Sequence, residues 1–184
     1  MAENLATTSF RNNSGIPNIT DATLWTNATT SAYCWYNNDI TTKDPYGAMY
    51  NWFAVNTGNL CPTGWHVPTD DEFVVLEEYL GLDPAHAYDW TWRGTDQGTQ
   101  MKNTTGWSNS GNGTNTSGFS VLPGGYRYGL TGTFNDLGNL IYFWTSTEVD
   151  AGTALYRRLD YNQTGVYRSG VLKQGGKHVR CLKG

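Results

Sequence analysis

Charge is scarce in this chain. Twelve Lys and Arg and sixteen Asp and Glu make up only 15 % of its 184 residues, with a net charge of -4. The basic residues are scattered, and Arg157, Arg158 and Arg168 form the one notable group, with Asp160 among them. Without a basic stripe to neutralise phosphates, nucleic-acid binding is not expected. No apolar run approaches bilayer length, so no membrane insertion is expected. The first residues, MAENLATTSF, lack a basic end followed by a hydrophobic stretch and do not read as a signal peptide.

Cysteine is equally sparse. Cys34, Cys61 and Cys181 lie far apart, one must be left over, and no C-x-x-C occurs. Neither a zinc site nor a redox dithiol is supported. A Cys34–Cys61 bridge and three buried thiols both fit. G-x-S-x-G, H-E-x-x-H, a Walker loop and a dinucleotide fingerprint are all missing. The histidines, His66, His86 and His178, have no spacing that favours a catalytic site, and His66 reads as structural. Asn-x-Ser/Thr triplets, at Asn18, Asn27, Asn103, Asn112, Asn115 and Asn162 among others, are expected by chance in a chain this rich in Asn and Thr.

The sequence does hold eight Trp, twelve Tyr, six Phe and twenty-two Gly. The apolar fraction, 38 %, is low for a globular protein, but large aromatic side chains repair much of that deficit. One domain is expected over 1–184. Residues 1–30, with Ile16, Ile19, Leu24 and Trp25 as tethers, read as an arm wrapping a core. Residues 46–55 fit one face of a short helix. The clearest helix is expected over 69–80: Thr69 and Glu72 make a capping box, and Asp70 and Asp71 add first-turn charge. Phe73, Leu76 and Leu80 recur on one flank, Gly81 ends it, and Glu77 and Glu78 are expected to face outward. The capping reading explains the acidic run without a metal.

Residues 83–118 read as a long irregular region pinned by Trp90, Trp92 and Trp107. Strands are expected over 119–123, 126–128, 141–146, 154–161, 166–169 and 178–182. About two helices followed by short strands make an α+β domain with an antiparallel sheet. From residue 143 onward, polar, charged and aromatic residues follow without a regular period. A mixed surface on a fixed framework suits binding.

Five segments, IPNITDATLWTNATTSAYCWYNND, YGAMYNWFAVNTGNLCPTGWHVPTDDEF, GFSVLPGGYR, FWTSTE and VRCLKG, closely resemble the Fibrobacter succinogenes major paralogous domain over nearly the whole chain. The resemblance implies a C-type-lectin-like fold in the branch related to formylglycine-generating enzymes, which VPTDDEF, LPGGYR and VRC are similar to. It implies that the final strand lies inside the sheet and that the termini approach each other. The enzyme branch uses paired cysteines near the C-terminus, whereas this chain has only Cys181 there.

Proteins of this branch also serve as variable proteins of diversity-generating retroelements in bacteria, archaea and viruses. There, error-prone reverse transcription substitutes at template adenines, which favours Asn codons. That resemblance implies a variable region within 143–184. Its varied, ligand-contacting positions would be Val149, Asp150, Ala151, Gly152, Thr153, Arg158, Asp160, Gly165, Tyr167, Ser169, Gly170, Val171 and Leu172, gathered on one exposed face. Phe143, Trp144, Ser146, Glu148, Tyr156, Leu159, Tyr161, Val179, Arg180 and Cys181 would be the framework. The implied function is non-catalytic recognition of a protein or glycan on a target cell surface, by the terminal domain of a larger virion or cell-surface protein. No cofactor is expected. The calcium-binding tripeptides E-P-N and Q-P-D do not occur, which leaves room only for a structural calcium ion in the Asn- and Asp-rich loops. The rivals are a formylglycine-generating-type oxidase, a structural or adhesion module with an invariant face, and a loop-rich domain with no special surface.

Overall fold

The longest strands arise where aromatic and β-branched residues concentrate. Leu140–Glu148 (β7), Thr153–Asp160 (β8) and Val166–Leu172 (β9) form an antiparallel meander. The computed structural model describes residues 1–184 as a mixed α+β fold. Thr91–Arg93 (β4) pairs with β9 at one edge. Gly124–Arg127 (β5) and Phe134–Leu137 (β6) close the other, giving the order β4-β9-β8-β7-β5-β6. Every pairing is antiparallel except β5 with β7. Two small antiparallel ladders flank this sheet. Tyr33–Cys34 (β1) pairs with Met49–Tyr50 (β2), and Trp65–His66 (β3) with Leu182–Lys183 (β10).

One helix is long. Asp70–Tyr79 (α4) starts with the expected reciprocal cap: Glu72 N–H donates to Thr69 Oγ1 at 3.2 Å, and Thr69 N–H to Glu72 Oε2 at 2.8 Å. The other helices, Ala22–Thr26 (α1), Lys43–Tyr46 (α2), Trp52–Val55 (α3) and Gln97–Met101 (α5), have four or five residues each. No helix is long and apolar enough to cross a membrane.

The sheet lies between two cores. On one side Phe73 of α4 packs with Ile141, Phe143, Leu159 and Val166. On the other, Trp144, Tyr142 and Tyr156 join Tyr50, Trp52, Leu5, Ile16 and Val179. The N-terminal segment reaches the second core directly. Leu5 N–H donates to the Val179 carbonyl at 2.8 Å, and the Leu5 carbonyl accepts from Ala48 at 2.9 Å. Trp25 is fully buried and donates its indole N–H to the Gln174 carbonyl at 2.7 Å, whereas Leu24 is exposed. The termini meet, with the Met1 ammonium 2.8 Å from the Cys181 carbonyl.

Five expectations are corrected. The helix expected over 46–55 is two short helices separated by β2. Gly47 sits at φ 77°, and Asn51 turns the chain by accepting from Ala54 and Ala32 N–H groups. Residues 119–123 form no strand: Ser120 at φ 55° breaks the extended run, and only Val121 bridges to Lys102. The end of the chain leaves the main sheet after His178, which bridges to Phe143, and pairs with β3 instead. Cys61 and Cys181 form the disulfide, leaving Cys34 free and buried. Glu77 faces inward and is wholly buried.

Glu77 has a reason to be inside. Its carboxylate accepts from Arg157 Nε and Arg93 Nη2, both at 2.7 Å. Asp70 accepts from Arg157 Nη1 at 2.6 Å and Arg168 Nη2 at 2.7 Å. Two carboxylates and three guanidiniums thus fasten α4 to the strands beneath it. The network also assigns Asp70 and Glu72 to ion pairing and capping.

Candidate functional site

The far side of β8 and β9 from α4 is only partly covered. Strand register aligns Tyr142, Arg158, Tyr167 and Trp92 in one row across β7, β8, β9 and β4. The Arg158 guanidinium lies 5.5, 5.6 and 5.4 Å from the Trp92, Tyr142 and Tyr167 ring centres and is ion-paired with Asp160. Adjacent rings continue the row: Tyr126 to Tyr142 is 4.7 Å, Tyr142 to Tyr156 5.0 Å, Tyr156 to Tyr167 6.1 Å and Tyr167 to Trp92 5.1 Å. Tyr142 and Tyr156 are buried and form the base of this band, while Tyr126, Tyr167 and Trp92 are half-exposed, so they offer contact area at little ordering cost because each ring is held by its neighbours.

The thirteen sequence-derived positions divide over this region. Val149, Asp150, Ala151 and Gly152 are exposed at the β7–β8 hairpin tip, with Thr153 half-buried beside them. Asp150 shapes the tip by accepting from the Gly152 and Thr153 N–H groups, both at 2.8 Å. The Gly152 N–H is the main reason its carboxyl is held below the ordinary value. Lys173 braces the tip from below, donating to the Ala151 carbonyl at 2.8 Å and pairing with Glu148. Arg158, Tyr167, Ser169 and Val171 are half-buried and share the aromatic side of the sheet.

Gly170 and Leu172 alternate to the opposite side, where a side chain at Gly170 would meet Val149. The set therefore wraps around the hairpin end and does not lie on one face. Two members are buried: Asp160 serves as the counter-ion of Arg158, and Gly165 is enclosed against β4. A Cβ at Gly165 would collide with the Arg93 carbonyl oxygen.

Residues 1–183 match the Fibrobacter succinogenes major domain family. The chain belongs to that family. No curated protein and no solved structure matches the chain. The family's framework residues named above from sequence are largely interior here: Phe143, Trp144, Tyr156, Leu159, Val179, Arg180 and Cys181 are all buried.

Sequence reading missed four contributors to the aromatic band. In the sequence Trp92 reads only as a pinning residue, and Tyr126 and Tyr142 read only as strand residues. Lys177 was not singled out, and no local pattern marks it. It stands beneath the band with its Nζ 4.3 Å from the Tyr142 ring centre. Burial is the main cause of the upward shift of the Tyr142 phenol to about 12, and of Tyr156 further still. The same burial, with Arg158 nearby, pushes the Lys177 amine down to about 7.

No three His, Cys, Asp or Glu side chains converge as a metal-ligand set. The free thiol, Cys34, is buried and pushed up to about 12, mainly by desolvation, so it holds its proton.

Proposed function

We propose that this domain is a non-catalytic recognition module. It binds a protein or glycan on a target cell surface through the β7–β8 tip and the adjoining Arg158–Tyr167–Trp92 row. The observation that carries this reading is the placement of Arg158, Tyr167, Ser169 and Val171. They stand half-exposed on strands whose alternate residues, Leu155, Arg157, Leu159 and Arg168, are buried, with Leu159 packed near Phe73 of α4 and Arg157 and Arg168 ion-paired to that helix. Side chains at such positions can change while the framework stays fixed. Tyr and Arg are also the residue types that most often dominate interfaces.

This arrangement, together with the family motifs, supports a C-type-lectin-like architecture of the formylglycine-generating-enzyme branch. It also supports a variable region of a diversity-generating retroelement within 143–184. A virion or cell-surface setting agrees with the Cys61–Cys181 disulfide, which an oxidising compartment preserves. The same bond supports the non-catalytic reading over an oxidase, because Cys181 is already joined to Cys61 and Cys34 is sealed in the core.

Sequencing the gene in sibling genomes tests the retroelement reading. Substitutions should cluster at adenine positions in codons for 149–153, 158, 167 and 169–172, beside a near-copy of the 3′ end. Differences spread evenly over the gene, with no such copy, would sink it.

A further inference from the structure

A cavity of about 380 Å³ opens beside the edge strand β4, within the size range of small-ligand sites. Its lining joins the chain just after α4, the turn that follows and the end of β4, and includes Leu82, Asp83, His86, Asp89, Trp92 and Thr95. The wall is held from behind. Leu82 packs with Val74 and Ala87. Arg93, which also lines the cavity, donates to the Ala87 carbonyl and, at 2.7 Å, to Glu77. Trp92 ends the aromatic row, 5.1 Å from the Tyr167 ring and 5.5 Å from the Arg158 guanidinium. The cavity and the proposed contact surface therefore share this residue.

The polar groups of this lining hold themselves with one atom and leave another unused. Asp83 Oδ1 accepts from the Ala85 N–H at 2.9 Å, and Asp89 Oδ2 lies 2.8 Å from His86 Nδ1. Asp83 Oδ2, Asp89 Oδ1 and His86 Nε2 have no partner in the protein. Trp25, Trp52, Trp107 and Trp144 donate their indole N–H groups to backbone carbonyls at 2.7, 3.0, 2.9 and 2.8 Å, whereas Trp92 has no such acceptor. The Thr95 hydroxyl has only a long contact, 3.5 Å, to Asp96.

Unused acceptors and unused donors thus stand in one cavity. An ammonium or guanidinium would use only the acceptors, and a carboxylate or phosphate only the donors, but a hydroxyl uses both. Charge points the same way. The two carboxylates share the lining with His86 and the Arg93 guanidinium, so neither sign dominates. A wholly apolar ligand would leave these groups unpaired. One indole among hydroxyl-matching groups suits a sugar ring, which has an apolar face and a hydroxyl edge.

We propose that this cavity is a metal-independent subsite for one neutral pyranose residue of a glycan, with Trp92 as its apolar platform and Asp83, Asp89 and His86 as its hydroxyl-binding groups. The inference rests on the reading of the adjoining row as a recognition surface and names the chemistry accepted at its β4 end.

NMR titration of the isotope-labelled chain with the methyl glycosides of glucose, galactose, mannose and N-acetylglucosamine, in the presence of EDTA, tests this. The indole N–H resonance of Trp92, assigned by its loss in Trp92→Phe, should shift saturably with at least one of them, at about millimolar affinity or tighter. Asp89→Ala, at an exposed position, should weaken that binding about tenfold and leave the other indole resonances in place. Should that change disturb the fold, Asp83→Asn, which keeps an oxygen for the Ala85 N–H, decides in the same way. Acetyl-lysine amide and acetate, as charged probes, should give no comparable shift. No response to any glycoside, an equal response to either charged probe, or indifference to the Asp variants overturns the subsite. That failure leaves the recognition reading standing, because that reading is decided by gene variation and by the effect of Arg158→Ala on target binding. A glycoside that still shifts Trp92 when Arg158→Ala leaves target binding unchanged supports the subsite and sinks the row.

Discussion

Arg157 Nε donates to Glu77 Oε1 at 2.7 Å, with both side chains sealed from solvent. Strand β8 and helix α4 are joined at this point, and Arg93 and Asp70 extend the junction to β4 and the helix N-terminus. Removing Glu77 leaves the buried Arg93 without a carboxylate and Arg157 with Asp70 alone. Glu77→Ala should therefore lower unfolding free energy by about 3–5 kcal/mol, measured by urea denaturation. A loss below about 1 kcal/mol would show that the helix is held by apolar packing alone.

The Cys61–Cys181 bond closes a loop of 120 residues and joins the final strand to the segment before α4. Long loops gain most in the chain-entropy account, so Cys61→Ser should cost about 2–5 kcal/mol. Cys34→Ala removes no bond and should cost far less. Native protein treated with a thiol reagent should leave Cys34 unlabelled until it unfolds. Rapid labelling under native conditions would contradict its buried, protonated state.

Gly165 separates framework from surface within the proposed variable region. A side chain there would press on the Arg93 carbonyl, and β4 could not pair with β9 as it does. Gly165→Ala should destabilise by about 1–3 kcal/mol. In sibling copies this position should stay glycine while Arg158 and Tyr167 change. Frequent substitution at 165 without loss of folded protein would contradict this packing.

Local signals in the sequence determine local structure most directly. The capping box, the three strands of the meander and the approach of the termini needed only a few residues each, or the family motif. Long-range balances were not legible. Glu77 sits where a helical pattern places solvent, yet two arginines distant in the chain, Arg93 and Arg157, draw it inside. The partner of Cys61 is 120 residues away, and spacing carries no record of it. The strand expected at 119–123 failed because one left-handed residue, Ser120, outweighed a β-forming composition. At the site, the family resemblance implied a set of ligand-contacting positions on one face, but strand alternation sends Gly170 and Leu172 to the other side. The aromatic band draws one or two residues from each of five strands, so no local window contains it.

Arg158 and Tyr167 anchor the proposed contact. Replacing each by Ala should weaken target binding at least tenfold, measured by surface plasmon resonance on captured cells or receptor. A chelator should leave that binding unchanged, because the surface is built from side chains. Binding that vanishes on chelation and returns with calcium would refute the metal-free reading.

The buried titratable groups predict an unusual pH profile. Lys177 is depressed from 10.5 to about 7, chiefly by burial, so between those values the unfolded chain binds more protons than the folded one. Stability must then rise with pH, by at most about 1.4 kcal/mol per unit from this group. The opposing groups act higher. Burial raises Cys34 from 9.0 to about 12 and Tyr142 from 10.0 to about 12, and shifts Tyr50 and Tyr156 the same way. Their unfolded forms ionise first, so stability falls above about pH 9. Arg180, lowered to about 10, works against that fall but is outnumbered. On the acid side His178 is depressed from 6.5 to about 4, mainly by burial, so stability declines as pH drops through that window. Urea midpoints should therefore peak on the alkaline side of neutrality, near pH 9. Lys177→Met should be more stable than the parent at pH 7 and should lack the rise between pH 7 and 9. A variant with the parent's slope over that interval would show that Lys177 keeps its proton throughout.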